Sequence, residues 1–196
     1  MINLYESLLG YEKDLKVKIC DIRDNPEDYD LYKSMVLQHL ELSENDIGLY
    51  PTKELFDLTY KGIESDSLKD VMSQKNPFIS IAHLYKDHTL IGSVDIQLVQ
   101  DLDDMFSSDV DQKLRVKFLS VKEVFRIRMP FIKEDLRRKG YGKFFLEKCI
   151  ERYKCCLASD IKVDNYASSN LYTSLGYSEI CTYHNNKEKR KVFINF

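Results

Sequence analysis

The stretch Glu123–Gly142, EVFRIRMPFIKEDLRRKGYG, decides the fold. It opens with an apolar, β-branched run, Val124 to Ile132, that reads as a strand. A charged turn follows from Lys133 to Lys139, and two glycines, Gly140 and Gly142, then lead at once into a helical pattern. A strand that feeds a glycine-bearing turn and a helix start makes an anion site. The first backbone N–H groups of a helix have no internal partner, and the helix dipole favours negative charge there. Gly140 and Gly142 lack Cβ, so a phosphate can come close to the backbone. Arg137, Arg138, Lys139 and Lys143 add positive charge around the same point, with Tyr141 between the glycines.

RRKGYG resembles R/Q-x-x-G-x-G/A, the acyl-CoA pyrophosphate loop of the GCN5-related N-acetyltransferases. The continuation strengthens the resemblance. Asn165, Ser168, Leu171 and Tyr172, followed by Leu175-Gly176-Tyr177, are similar to that family's N-x-x-A-x-x-L-Y-x-x-L-G-F, with Ser168 for the alanine and Tyr177 for the phenylalanine. The two motifs stand in the right order, about one helix plus one strand apart. The resemblance covers roughly Pro77 to Phe196, and the first third of the chain matches only in general layout. It implies an α/β (α+β) fold with a mixed, mostly antiparallel central sheet of about seven strands, a parallel central pair and flanking helices.

The composition agrees with one soluble globular domain over residues 1–196: hydrophobic content is 43% and charged content 31%. No apolar run approaches the ~20 residues of a membrane span. The first residues, MINLYESLLGYEKDLK, carry early acids and lack an apolar core of signal length, so the cytoplasm is the expected compartment and no membrane partner is expected. A formal net charge of −3 gives no footprint for nucleic acid. The five cysteines, Cys20, Cys149, Cys155, Cys156 and Cys181, have no metal-like spacing and read as reduced and mostly packed, so no metal is expected. A homodimer stays open at this stage.

Residues 1–14 read as an N-terminal extension, and Lys16 to Ile22 as a first strand. Asn25 is expected to cap a helix that begins with Pro26 and buries Leu31, Met35, Val36 and Leu40. A second helix is expected from Thr52 to Tyr60, stopping at Gly62, and a third from Ser65 to Gln74. Phe78–Tyr85 and Thr89–Val99 form a hairpin about Lys86-Asp87-His88. Residues 100–122 look like an insertion between the third and fourth strands, and Gln100–Lys113 is acidic. It reads as a solvated loop or as a rim that draws in a cationic amine. Gly140–Arg152 is a helix with Tyr141, Phe145 and Cys149 on one side. Strand Cys156–Val163, helix Ala167–Leu175 and a closing hairpin of Tyr177–Tyr183 and Lys189–Phe196 complete the order.

The resemblance also implies chemistry. Acetyl-CoA is the implied donor, and the acceptor is a primary amine of a small molecule or a protein. The amine attacks the thioester directly in a ternary complex, which needs no cysteine nucleophile. The arm of CoA is expected between the two parallel strands, pairing with backbone near Phe131 and Ile132, with Asn165 binding that arm or capping its helix. Pro130 departs from the family pattern and suits an interrupted ladder, because proline cannot donate. Tyr172 is the expected general acid; Glu123, at the start of the central strand, is a candidate base, His83 and Asp95 are further candidates, and a water chain with no dedicated base stays open. The alternative is a non-catalytic module of the same fold that binds acyl-CoA or a protein partner.

Overall fold

The computed structural model describes residues 14–43, 53–100, 123–153, 157–185 and 188–195. Among the described residues seven strands form a single sheet: β1 (Leu15–Asp21), β2 (Phe78–Lys86), β3 (Thr89–Val99), β4 (Val124–Ile132), β5 (Leu157–Lys162), β6 (Ser178–Asn185) and β7 (Glu188–Asn195). Their order across the sheet is β1-β2-β3-β4-β5-β7-β6. Every neighbouring pair is antiparallel except β4 and β5, which run parallel. The expected architecture is therefore present.

The helices are α1 (Tyr29–Ser43), α2 (Lys53–Ser65), α3 (Leu68–Met72), α4 (Tyr141–Arg152) and α5 (Tyr166–Ser174). The β2–β3 hairpin closes on Asp87 and His88, with φ of 47° and 66°. Two consecutive positive φ values give the turn whose twist matches that of the flanking strands. Helix α4 is the crossover between the parallel strands, and a right-handed crossover lays it on one face of the sheet. Its stripe of Tyr141, Phe145, Leu146 and Cys149 is buried against Ile127 of β4 and the apolar residues of β2 and β3. Helix α1 covers the other face, where Tyr32, Met35 and Val36 pack with Cys20, Ile22 and Ile81.

Several local expectations need correction. Asn25 makes no side-chain cap, and its Pro26–Asp28 turn is a 3-10 helix that precedes α1. Leu31 points outward, while Tyr32 and His39 occupy the buried stripe instead. Gly62 does not end α2, which continues to Ser65, because a helix-interior glycine costs only ~1 kcal/mol. Helix α3 is shorter than expected and starts at Ser67, whose hydroxyl and the Asp70 carboxylate cap each other's backbone. Residues 1–13 of the expected N-terminal extension, the acidic 101–113 segment and Cys155-Cys156 lie outside the described residues.

Candidate active site

The site begins where the sheet comes apart. Strands β4 and β5 pair only at Phe125↔Leu157 and Arg126↔Ala158. Past that point β4 stays with β3 as far as Gly92↔Ile132, while β5 stays with β7 as far as Lys162↔Arg190. The two halves of the sheet therefore diverge toward the carboxyl ends of the parallel pair, where ligands of such pairs enter.

A bulge in β4 accompanies the divergence. Asp95 pairs with Arg128 and Ser93 with Phe131, so three steps on β4 match two on β3. The extra residue falls at Met129-Pro130. Its effect shows in the side chains. Ile127 and Ile132 are five positions apart yet both pack on the α4 face, which a regular alternating strand forbids. Pro130 sits in this bulge, where a missing N–H costs no ladder bond. Lys133 N–H donates to Ile91 O on β3 at 2.9 Å. Hydrogen-bonding direction alternates along a strand, so the Ile132 amide faces the opening.

The floor of the opening is the turn between β4 and α4. Glu134–Leu136 makes one 3-10 turn, and Arg137 locks it by donating from Nε to Ile132 O at 2.8 Å, its guanidinium 5.4 Å from the Phe131 ring. Arg138 and Gly140 take φ of 62° and 86°. Gly140 is the N-cap of α4 and brings no side-chain acceptor. The amides of the first turn, at Tyr141, Gly142 and Lys143, thus face outward with the positive end of the dipole behind them. The opposite wall is the start of α5, where Asn165 Oδ1 accepts the Ser168 N–H at 3.0 Å.

Together these walls enclose a cleft of about 710 Å³. Of the residues expected from sequence, Ile132, Arg137, Arg138, Gly140, Gly142, Lys143 and Asn165 line it. Pro130, Glu134, Ala167, Ser168 and Leu171 line it too; Ser168 and Leu171 belong to the second motif, and helical spacing from Asn165 could have placed them. Glu134 brings a negative charge to a cleft otherwise edged by Arg137, Arg138 and Lys143.

The other expected residues lie elsewhere. Phe131 and Tyr141 are buried, the Tyr141 hydroxyl accepting from Lys86 Nζ at 2.9 Å, a bond that raises the Lys86 pKa. Lys139 is exposed on the turn. The Tyr172 ring is 1% exposed, edge-on to Tyr177 at 5.1 Å and stacked on Phe193 at 6.2 Å. Its neighbour Leu171 is the residue that meets the cleft. Glu123 accepts from Arg23 Nη1 at 3.1 Å. It precedes Arg126, the last β4 residue paired with β5, by three positions, and so lies about 10 Å back along the strand from the opening.

Cys20 and Cys149 are unsuited to attack. Both are buried, and burial pushes the Cys149 thiol up to about 12. His83 is buried as well; burial pulls its imidazole down to about 4, and its Nε2 donates to Met35 O at 2.9 Å while Nδ1 accepts the Tyr85 hydroxyl at 3.3 Å. No group of three metal-ligating side chains occurs among the described residues, and no helix there is long and apolar enough to cross a membrane.

Comparison with known proteins bears on the fold. The sequence model of the acetyltransferase (GNAT) family matches residues 49–177. No curated protein matches the chain significantly. Among solved structures, a GNAT-family acetyltransferase from Streptococcus agalactiae superposes with a TM-score of 0.54 at 14% identity, over 93% of this chain and 95% of that one. The ribosomal-protein-S18-alanine N-acetyltransferase of Escherichia coli gives 0.52 at 15% identity, over 91% and 92%. Arabidopsis thaliana NAA60 in complex with acetyl-CoA gives 0.50 at 15% identity, over 92% and 99%. At these identities the likeness concerns the fold.

Proposed function

Since the chain belongs to the acetyltransferase (GNAT) family, we propose that it transfers an acetyl group from acetyl-CoA to a primary amine of a small molecule or protein, by direct attack in a ternary complex. One observation carries this reading: the parallel strands open directly onto an uncapped helix start that two glycines leave bare. A cleft of about 710 Å³ has the size of a small-molecule or cofactor site. In this reading the amides at Tyr141 to Lys143 hold the pyrophosphate, aided by Arg138 and Lys143. The extended arm of the donor follows β4, where the Ile132 amide pairs with it as a missing strand would. Asn165 meets it from the other wall.

The reaction asks for two proton movements. An alkylamine has a reference pKa of ~10.4 and must shed a proton, to water in this reading, before its lone pair attacks the thioester carbon. As the N–C bond forms, the C–S bond breaks and the electrons leave on sulfur. A thiolate with a pKa near that of cysteine, ~8.5, then takes up a proton. Tyr172 is the proposed donor on the strength of its place in the second motif; its ring packs on Tyr177 and Phe193, beside Leu171, which lines the cleft. Glu123 is left out of the reacting set, engaged as it is with Arg23. The buried thiols fit a route without a covalent acetyl-enzyme.

The competing reading is an acyl-CoA-binding module without turnover. Calorimetric titration with acetyl-CoA tests the site. Gly140→Asp and Gly142→Asp, which set a carboxylate against the phosphates, are expected to abolish binding in a folded protein. Unchanged affinity in both variants would place the donor elsewhere.

A further inference from the structure

The opposite face of the sheet holds a second cavity. Helices α1, α2 and α3 arch over β2, β3 and β4 there and enclose about 350 Å³. The walls are largely apolar and aromatic, with Tyr29, Tyr32, Val36, Ile63 and Phe78 among them. Among the described residues, the charged ones that line it are Lys33, Asp66, Asp95 and Arg128.

Of these, Asp95 holds a buried oxygen without a hydrogen-bond partner. It stands on β3 directly opposite Arg128 of β4. Arg128 is two positions past Arg126, the last β4 residue paired with β5. Asp95 is therefore about one strand spacing, ~5 Å, from β4 at the level where the cleft begins. Its Oδ2 lies 3.8 Å from His39 Nε2, beneath α1. Its Oδ1 is buried and has no hydrogen-bond partner. The nearby cations are directed elsewhere: the Arg128 guanidinium lies 4.7 Å over the Phe78 ring, and Lys33 Nζ donates to Asp66 O at 3.1 Å. A buried acceptor without a donor is unfavourable in a finished core and ordinary in a site that waits for one.

We infer that this cavity receives the amine acceptor, and that Asp95 Oδ1 accepts an N–H from a cationic group on it. The inference rests on the transferase reading above and names the substrate class: a primary amine whose body is apolar and a few carbons long. Tyr29, Tyr32 and Phe78 supply the faces against which such a body packs, and aromatic faces also favour a nearby cation. Asp95 serves here to bind and orient.

The test uses phenethylamine as the probe and 2-phenylethanol, equal in shape but uncharged, as its control. Direct titration of the full chain is expected to show the amine binding about tenfold tighter than the alcohol. Asp95→Asn should erase that preference without moving the affinity for CoA, and in turnover should raise KM for the amine while KM for acetyl-CoA holds. Thr59→Trp, which fills the cavity from α2, should weaken both probes and serves as the second variant if Asp95→Asn fails to fold. Equal affinity for the two probes, binding of neither, or a preference that survives Asp95→Asn would overturn the inference. CoA titrated in parallel reports on the transferase reading by itself.

Discussion

Gly140 and Gly142 are two residues apart, yet the same added methyl group should act on them with opposite sign. Gly140 holds φ at 86°, and a Cβ built there meets nothing within 4 Å. The cost of alanine is then purely conformational, about 1–2 kcal/mol for an L-residue in the left-handed region. Gly142 lies within α4, where a Cβ would sit 3.7 Å from Leu171 Cδ2 and 3.8 Å from Ile132 Cγ1. Those are ordinary contacts. Alanine there should stabilise by roughly 0.4–1 kcal/mol, through the entropy removed from the unfolded chain. For a domain of this size 1 kcal/mol corresponds to roughly 2–4 °C. Gly140→Ala should thus lower Tm by about 2–8 °C and Gly142→Ala raise it by about 1–4 °C. Binding should show a further contrast. Leu171 and Ile132 line the cleft, so in the proposed mode of CoA binding the Gly142 methyl intrudes where the phosphates would approach the backbone. Losing a charge-assisted hydrogen bond of ~1.5–3 kcal/mol weakens CoA by about 10- to 100-fold. Scanning calorimetry and titration with CoA measure both. A Gly142→Ala protein that binds CoA like the wild type refutes the close approach, and a Gly140→Ala protein that melts no lower refutes the strained turn.

Further outcomes are specific. Native His83 titrates near 4 whereas the unfolded chain takes its proton near 6.5, so acid favours unfolding. Its contribution is constant above pH 6.5, falls by about 2–3 kcal/mol as the pH drops toward 4, and levels off below that. Urea unfolding of wild type and His83→Gln should converge by that amount between pH 7.5 and 4.5; a constant gap would contradict the buried neutral imidazole. Tyr172→Phe removes only a hydroxyl and should lower kcat by ~10²–10⁴-fold with little change in acetyl-CoA affinity or Tm. Near-normal kcat in a regime limited by chemistry would show that the thiolate takes its proton from elsewhere.

The parts of this molecule that were legible in sequence are those whose signals are local. The glycine turn, the helix start at Gly140 and the Asn165 cap each depend on a few adjacent residues, and they stand where the motifs put them. The role of Pro130 was legible too, because a missing donor is a property of the residue itself. What depends on distant partners was not. Glu123 meets Arg23 across 100 positions, so nothing around Glu123 foretold the pairing. His39 of α1 is fully buried with Asp95 of β3 3.8 Å away, a pairing distant in sequence that no local signal carries. Leu171 and Tyr172 are neighbours in one motif, and only the seating of α5 on the sheet decides which meets the cleft and which enters the core.

The central claim is tested most directly by following thiol release from acetyl-CoA against a broad panel of primary amines, with the amine products identified by mass spectrometry. The account predicts that CoA thiol appears only when a suitable amine is present, in step with one acetyl group gained by that amine, and with no acetyl group left on the protein. Tight binding of acetyl-CoA with no amine acetylated, or a stable acetyl-enzyme formed without amine, would contradict it.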